Sequence, residues 1–417
     1  FFIFTFSDAT PVAGRYTLLP TIGTALIILF CNSQSSLGKL LSHRSLVFIG
    51  LLSYSTYLWH QPLLAFSRYY FSESFDFAIS AGLCILSFIL AYFTWKFIEQ
   101  PFRHRLWSLN SKPRTFSIFF LLSIAIISAS LYGKNEKGFP DRLDPNIRSI
   151  YETTGHFEEV ETCFITTSDK FDLSKCLKKT SKQYNALIIG DSHAASLFPS
   201  LKNEFEKRSW NLSMLTYARC VPFISESYLQ QYRYNSRFFS KNITPRCQAL
   251  KENFRTGLKG SNFDLIIVLN HFHNWIGTYN EQSIPRFWEM YTDTLIENFG
   301  KEKLLILGAL PVWKDDLPKL IIDDFRQGKN HSGPSFSGLF DTNRKLDNFM
   351  FEELNKRDVQ FLSTMSAFCS SKGCERTGIL NSGERKALAY DEAHLSSTGA
   401  DLLSKYIISN IINFQQP

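Results

Sequence analysis

The apolar residues of this chain are spread so unevenly that its two parts cannot share one solvent. Residues 1 to about 133 are dominated by long apolar runs, whereas the remainder has the mixed texture of a water-soluble domain. Four segments, 16–31, 46–66, 75–97 and 115–132, are candidate membrane-spanning helices. The last two have the length and apolarity demanded by a bilayer core of about 20 residues, and 16–31 is short. Segment 46–66 carries Ser53, Tyr54, Ser55, His60 and Gln61, so it is expected to face other helices and not lipid. Phe is used 39 times in 417 residues, much of it in or beside these runs, as lipid-facing and interfacial positions favour. The first residues, Phe1-Phe-Ile-Phe-Thr-Phe6, are already apolar and show no cleavable signal pattern, as expected of a chain cut from a larger membrane protein.

Charge gives this front part an orientation. Arg103-His-Arg105 and Lys112-Pro-Arg114 lie between the third and fourth segments and are expected on the cytoplasmic side, with Lys39 and Arg44 in agreement. The 67–74 loop holds Arg68 balanced by Glu73. Everything after about residue 133 is then extracytoplasmic, which in a bacterium with two membranes is the periplasm. A formal charge of +7 invites nucleic acid, but no basic stripe with interleaved aromatics exists, and several basic residues sit beside membrane segments. No nucleic-acid partner is expected; membrane lipids are. Cysteine usage agrees with the compartment: six of the eight lie after residue 133, in close pairs. Pairing by proximity, one of fifteen connectivities, gives Cys163–Cys176, Cys220–Cys247 and Cys369–Cys374. No zinc-ribbon spacing is present.

Residues 1–134 therefore read as membrane helices with a linking helix, 115–132, and 135–181 as an irregular connector. From 182 to 417, apolar runs at 186–189, 212–217, 265–269, 304–307 and 359–362 alternate with helix-compatible stretches such as 194–208 and 286–298. This alternation predicts an α/β domain, a parallel sheet covered by helices on both faces. Within it, Asn185-Ala-Leu-Ile-Ile-Gly-Asp-Ser-His193 reads as a buried strand, a glycine turn and a helix start. Ser192 thereby falls at the carboxyl end of a strand and the amino end of a helix, the edge where open α/β sheets bind ligands and where free N–H groups stabilise an oxyanion.

A serine hydroxyl needs a base to attack at neutral pH. Asp391-Glu-Ala-His394 supplies one: His394 as base, with Asp391 orienting its ring, both from a single loop closed by Gly399 and the apolar run 402–408. The competing use of Ser192 is a helix N-cap; Asp191 is a second candidate cap, and His193 is expected to pack at the helix start. Asn270 ends the 265–269 strand, as an oxyanion donor or as a turn residue. His271-x-His273 lacks a third ligand at suitable spacing, so no metal is expected; with Trp275 these residues are expected to wall the cleft. Trp313 is expected at the cleft mouth, in the core or on the surface. Glu99 is expected to pair with Arg103.

Gly190-Asp-Ser-His193 with Asp391-x-x-His394-Leu-Ser resembles the first and last blocks of the SGNH hydrolases. Ile49-Gly-Leu-Leu-Ser-Tyr-Ser-Thr-Tyr-Leu-Trp-His60 and Phe97-Ile-Glu-Gln-Pro-Phe-Arg103 resemble the last helices of transmembrane acyltransferase family 3. The fusion of the two resembles bacterial O-acetyltransferases of surface polysaccharides such as the lipopolysaccharide O-antigen. The resemblance implies a three-layer, flavodoxin-like α/β domain, with Ser192 as nucleophile, His394 as base and Asp391 as its orienting acid. It implies an oxyanion hole from the serine's own N–H, Asn270 and a backbone N–H of Ala218 or Arg219, although Val268-Leu-Asn-His-Phe272 lacks the family's Gly-x-Asn and no glycine follows Tyr217. It further implies acetyl-coenzyme A as a cytoplasmic donor, no cofactor bound by the SGNH domain, and a surface glycan or lipid-linked oligosaccharide as acceptor at the inner membrane. The family's acyl-handling histidine and early Arg/Lys-rich helices belong ahead of Phe1. The alternatives are a periplasmic carbohydrate acetyl esterase and a non-catalytic glycan-binding domain.

Overall fold

The computed structural model describes residues 15–32, 34–70, 76–103, 112–153, 163–165, 176–177, 184–218, 258, 263–272, 283–330, 333–336, 340–380 and 382–411. It divides into two compact units, Phe1–Tyr132 and Gly133–Pro417.

The first unit holds helices α1 (Arg15–Phe30), α2 (Arg44–Tyr70) and α3 (Phe77–Thr94), with a fourth, α4 (Lys112–Asn135), running on past Tyr132. Two stretches, Phe77–Arg103 and Phe116–Asn135, are long and apolar enough to cross a membrane, and Leu18–Phe30 is apolar but shorter. Most large apolar side chains here point outward, among them Leu29, Phe66, Phe116 and Leu121. That is the reverse of a soluble core and suits a hydrocarbon solvent. Helices α2 and α3 meet through small buried residues, Ser55 with Ser87 and Ala91, and through Trp59 Nε1 donating to Thr94 Oγ1 at 2.8 Å. Of the polar residues read from 46–66, Ser55 is buried at this helix contact, whereas Ser53, Tyr54 and Gln61 are exposed. Beyond α3 the chain makes one π-helical turn, Trp95–Glu99, and Glu99 pairs with Arg103 at 2.6 Å while accepting from Ser55.

The second unit is a parallel sheet of six strands among the described residues: β1 (Phe164–Ile165), β2 (Tyr184–Gly190), β3 (Trp210–Tyr217), β4 (Leu265–Leu269), β5 (Leu304–Leu307) and β6 (Gln360–Leu362). They lie in the order β1-β3-β2-β4-β5-β6. Five of the six are the apolar runs of the sequence, and their order is flavodoxin-like, with the topological switch at β2. Alternation along each strand feeds both faces. Leu187, Ile189 and Val268 pack with Trp288, Tyr291 and Leu295 of α6 (Ser283–Phe299) and Leu346 and Met350 of α8 (Phe340–Lys356). Ile188, Met214 and Ile267 pack on the other face with Leu197 and Leu201 of α5 (Ser192–Glu206) and Leu403 and Ile407 of α9 (Ser397–Ile411). Each such side chain contributes roughly 1.5–3 kcal/mol on burial.

The segment 135–181 is less irregular than its sequence suggests. Helix Pro145–Tyr151 buries Ile147 and Ile150 against Trp313, against Leu317 at the start of α7 (Leu317–Arg326), and against Ala387, and Ser149 Oγ donates to the Arg385 carbonyl at 2.6 Å. β1 adds the edge strand, tied down by the Cys163–Cys176 disulfide. Two-residue strands and a seven-residue helix carry too little periodicity to be read in advance. Trp313 is core. The Cys369–Cys374 disulfide also forms, across a tight antiparallel pair; Cys220 and Cys247 lie outside the described residues.

One buried acid couples stability to pH. Asp347 of α8 accepts from Ala309 N and from the Ser363 hydroxyl, tying α8 to the carboxyl ends of β5 and β6. Burial raises its pKa to about 6, with these hydrogen bonds offsetting part of the rise. A raised carboxyl pKa means that the folded state holds the proton more tightly, so its contribution to stability is full below about pH 4 and is lost as pH rises through 6. The loss is on the order of 3 kcal/mol. Asp347→Asn is expected to remove this component, measured as the difference in urea unfolding free energy between pH 4.5 and 7.5 for the two chains; identical differences would contradict it.

Candidate active site

The site is built at the carboxyl ends of β2, β3 and β4. Gly190 ends β2 with Thr216 of β3 on one side and Leu269 of β4 on the other. A Cβ on Gly190 would stand 1.8 Å from the Leu269 carbonyl oxygen, so this approach of backbone to backbone requires glycine. Asp191 follows as the N-cap of α5. Its Oδ1 accepts from His193 N at 3.0 Å, and its Oδ2 accepts from His271 N at 2.8 Å, which fastens the end of β4 to the turn. The cap is therefore Asp191, and Ser192 is the first helical residue with its hydroxyl free for other work.

That hydroxyl lies 2.8 Å from His394 Nε2, and His394 Nδ1 lies 2.6 Å from Asp391 Oδ2. In the resting tautomer Nδ1–H donates to Asp391 and Ser192 donates to Nε2. Asp391 is itself held by its own loop, its Oδ1 accepting from Ala393 N at 2.9 Å and His394 N at 2.7 Å. Burial raises its pKa, but the His394 ring and those two N–H groups outweigh it, so the carboxyl lies below its ordinary value. A depressed carboxylate pKa stabilises the fold above the ordinary carboxylate range and stops doing so as pH falls through the folded value. At neutral pH Asp391 is ionised. Behind the loop, Trp313 N donates to the Glu392 carbonyl and Leu317 N to that of Asp391. Gly399 lets α9 close on the other side, since a Cβ there would meet the Leu388 carbonyl at 2.0 Å.

Residues 202 positions apart in sequence thus form a hydroxyl–imidazole–carboxylate relay. Such a relay can deprotonate the serine for attack on an acyl carbon and return the proton to the leaving group. Sequence analysis places all three residues where they meet. It does not anticipate Tyr390, stacked on His394 with ring centroids 5.6 Å apart and planes 13° apart; adjacency to Asp391 is the only signal of it.

Asn270 is fully buried one residue past Leu269, its Nδ2 donating to Tyr291 Oη at 3.0 Å. Burial pushes the Tyr291 hydroxyl far up, with the Asn270 bond opposing, so it stays protonated. Ala218 occupies the turn after β3, two residues past Thr216. These positions flank Gly190 from both sides. His271 stacks on His193. Arg219, His273 and Trp275 lie outside the described residues. No cluster of three or more metal-ligating side chains exists among the described residues.

The sequence profile of the SGNH domain, in the form fused to AT3 domains, matches residues 156–409. The chain belongs to this family. Among its relatives, the Staphylococcus aureus (strain COL) protein SACOL0978 is 28% identical over 211 residues, which cover 46% of this chain and 34% of the relative. The O-acetyltransferase OatA of Staphylococcus aureus (strain NCTC 8325 / PS 47) is 29% identical over 106 residues, 25% of this chain and 18% of OatA. The chain thus spans about a third or less of the length of these relatives. The periplasmic domain of the Salmonella ser. Paratyphi A lipopolysaccharide acetyltransferase superposes with a TM-score of 0.49 at 18% identity, covering 64% of this chain and 99% of that domain.

Proposed function

We propose that the unit from Gly133 onward transfers an acyl group, acetyl, to a hydroxyl of a cell-surface polysaccharide such as the lipopolysaccharide O-antigen. The observation that carries this reading is the Ser192–His394–Asp391 relay, with 2.8 and 2.6 Å between successive partners, in a domain whose family is fused to acyltransferase membrane domains. In the first half-reaction Ser192 Oγ loses its proton to His394 Nε2 and bonds the acyl carbon, and the donor's leaving group departs with that proton. In the second, His394 takes the proton of a sugar hydroxyl, whose oxygen bonds the acyl carbon as the bond to Ser192 Oγ breaks, and His394 returns that proton to Oγ. Oxyanion charge is met by the Ser192 N–H, the Ala218 N–H and the second N–H of the Asn270 amide, whose first donates to Tyr291 Oη. Ser192 faces the periplasm, and the helices of the first unit span the inner membrane as a multi-pass anchor. Acetyl-coenzyme A is a cytoplasmic compound, so acetyl reaches Ser192 across those helices.

Water and a sugar hydroxyl are interchangeable to the relay itself, so the partition of acetyl decides between transfer and esterase action. The test gives the full chain p-nitrophenyl acetate with purified O-antigen polysaccharide and measures glycan-bound acetyl against free acetate. Acetyl on the glycan, absent without protein, is expected. Turnover to free acetate with an unmodified glycan would instead establish the esterase, and glycan binding without any turnover the non-catalytic reading.

A further inference from the structure

His193 directly follows the nucleophile and is 1% exposed, yet neither ring nitrogen has a hydrogen-bond partner among the described residues. Burying an unpaired polar ring is costly, and without hydrogen bonds to the described residues this imidazole joins none of their polar networks. Nor is it a second base. Burial, reinforced by His271 and His394, holds its pKa well below the ordinary histidine value. What remains to it is shape and neutrality, and its neighbours show where these act. Its ring stacks on His271 at 4.4 Å and 19°, and meets His394 nearly at right angles, at 4.9 Å and 68°.

His394 needs such a neighbour. Ser192 and Asp391 grip its two nitrogens, which fixes the ring in its own plane but opposes tilt about the line joining them only through bending of those bonds and the Cβ–Cγ torsion. Groups packed against the ring add to that resistance. Tyr390 stacks on it, and His193 meets it crosswise. The neighbour must also stay uncharged, because a cation 4.9 Å away would oppose the charge His394 takes up with the serine proton.

Granted the acyl-serine reading above, we propose that His193 is a positioning residue for the base, a ring that with Tyr390 keeps the plane of His394 on the Ser192–Asp391 axis. It touches neither acyl group nor acceptor; it acts through His394.

The test uses a fluorophosphonate on the full chain. Ser192 Oγ bonds phosphorus, fluoride leaves, and the serine proton passes to His394, so the rate reports the relay without a sugar or natural donor. Rates are taken per labelled site, so that unfolded protein in a variant does not count. His193→Ala is expected to label about tenfold more slowly, as for a slightly misplaced catalytic group. His193→Leu, similar in volume but lacking the nitrogens, is expected to recover most of that loss. An Ala variant as fast as the wild type, or a Leu variant as slow as Ala, would overturn the role. A wild-type chain that takes no label would overturn the acyl-serine reading itself, whereas a labelled wild type with indifferent variants would sink only the role of His193.

Discussion

Ser192→Ala is expected to abolish fluorophosphonate labelling and to lower ester turnover on the order of 10⁶-fold, as found when a triad serine is removed, while leaving the fold intact. The two halves of this result have separate causes. Loss of Oγ removes the atom that bonds the acyl carbon, the hydroxyl that stands 2.8 Å from His394 Nε2. Stability is spared because the helix cap belongs to Asp191, whose carboxylate holds the N–H groups of both His193 and His271. Alanine at the first helical position also suits helix propensity. The melting temperature should therefore move by no more than about 2 °C. Asp191→Ala is the contrasting control, since it strips the cap and releases the end of β4. If Ser192→Ala melted several degrees lower and kept its turnover, the serine would be a cap after all.

Asp391→Asn should cost about 10⁴-fold in turnover at neutral pH, the size of a tautomer inversion in a Ser-His-Asp protease. Oδ2 now accepts from His394 Nδ1–H at 2.6 Å. An Asn amide turned toward that nitrogen donates, so the ring proton moves to Nε2, facing Ser192. A base already protonated on that side cannot take the serine proton. Asn Oδ1 still accepts from Ala393 N and His394 N, so the loop keeps its shape. The loss should fall on kcat with KM little changed, because no substrate contact is removed. An Asn variant retaining a tenth or more of wild-type turnover would mean that Asp391 only holds the loop.

How much of this was legible in the chain depends on the range of each interaction. Strand β2 and the turn at Gly190 are local: four apolar residues, a glycine and an N-cap acid within nine positions, each choosing its conformation from its neighbours. The Asp391-x-x-His394 loop is local too, since Asp391 binds the N–H groups two and three residues on. Strand β1 was not legible, because two residues take strand form only beside Thr216 and Tyr217 of β3. Helix Pro145–Tyr151 escaped for the same reason, being held by the Trp313 and Leu317 core and by Arg385. The identity of the cap at the start of α5 also needed geometry, since Asp191 and Ser192 are adjacent and both cap well.

By itself the sequence determined the uneven split of apolar residues, the α/β pattern and the three residues of the relay, because apolar periodicity, turn chemistry and residue type are written position by position. Only the tertiary structure decided that Ser192 is free of capping duty, that Asn270 is tied to Tyr291, and that His193 and Tyr390 pack against the base. Those are contacts between side chains on different elements, fixed by sheet register and helix packing, and the order of residues along one strand or helix does not specify them.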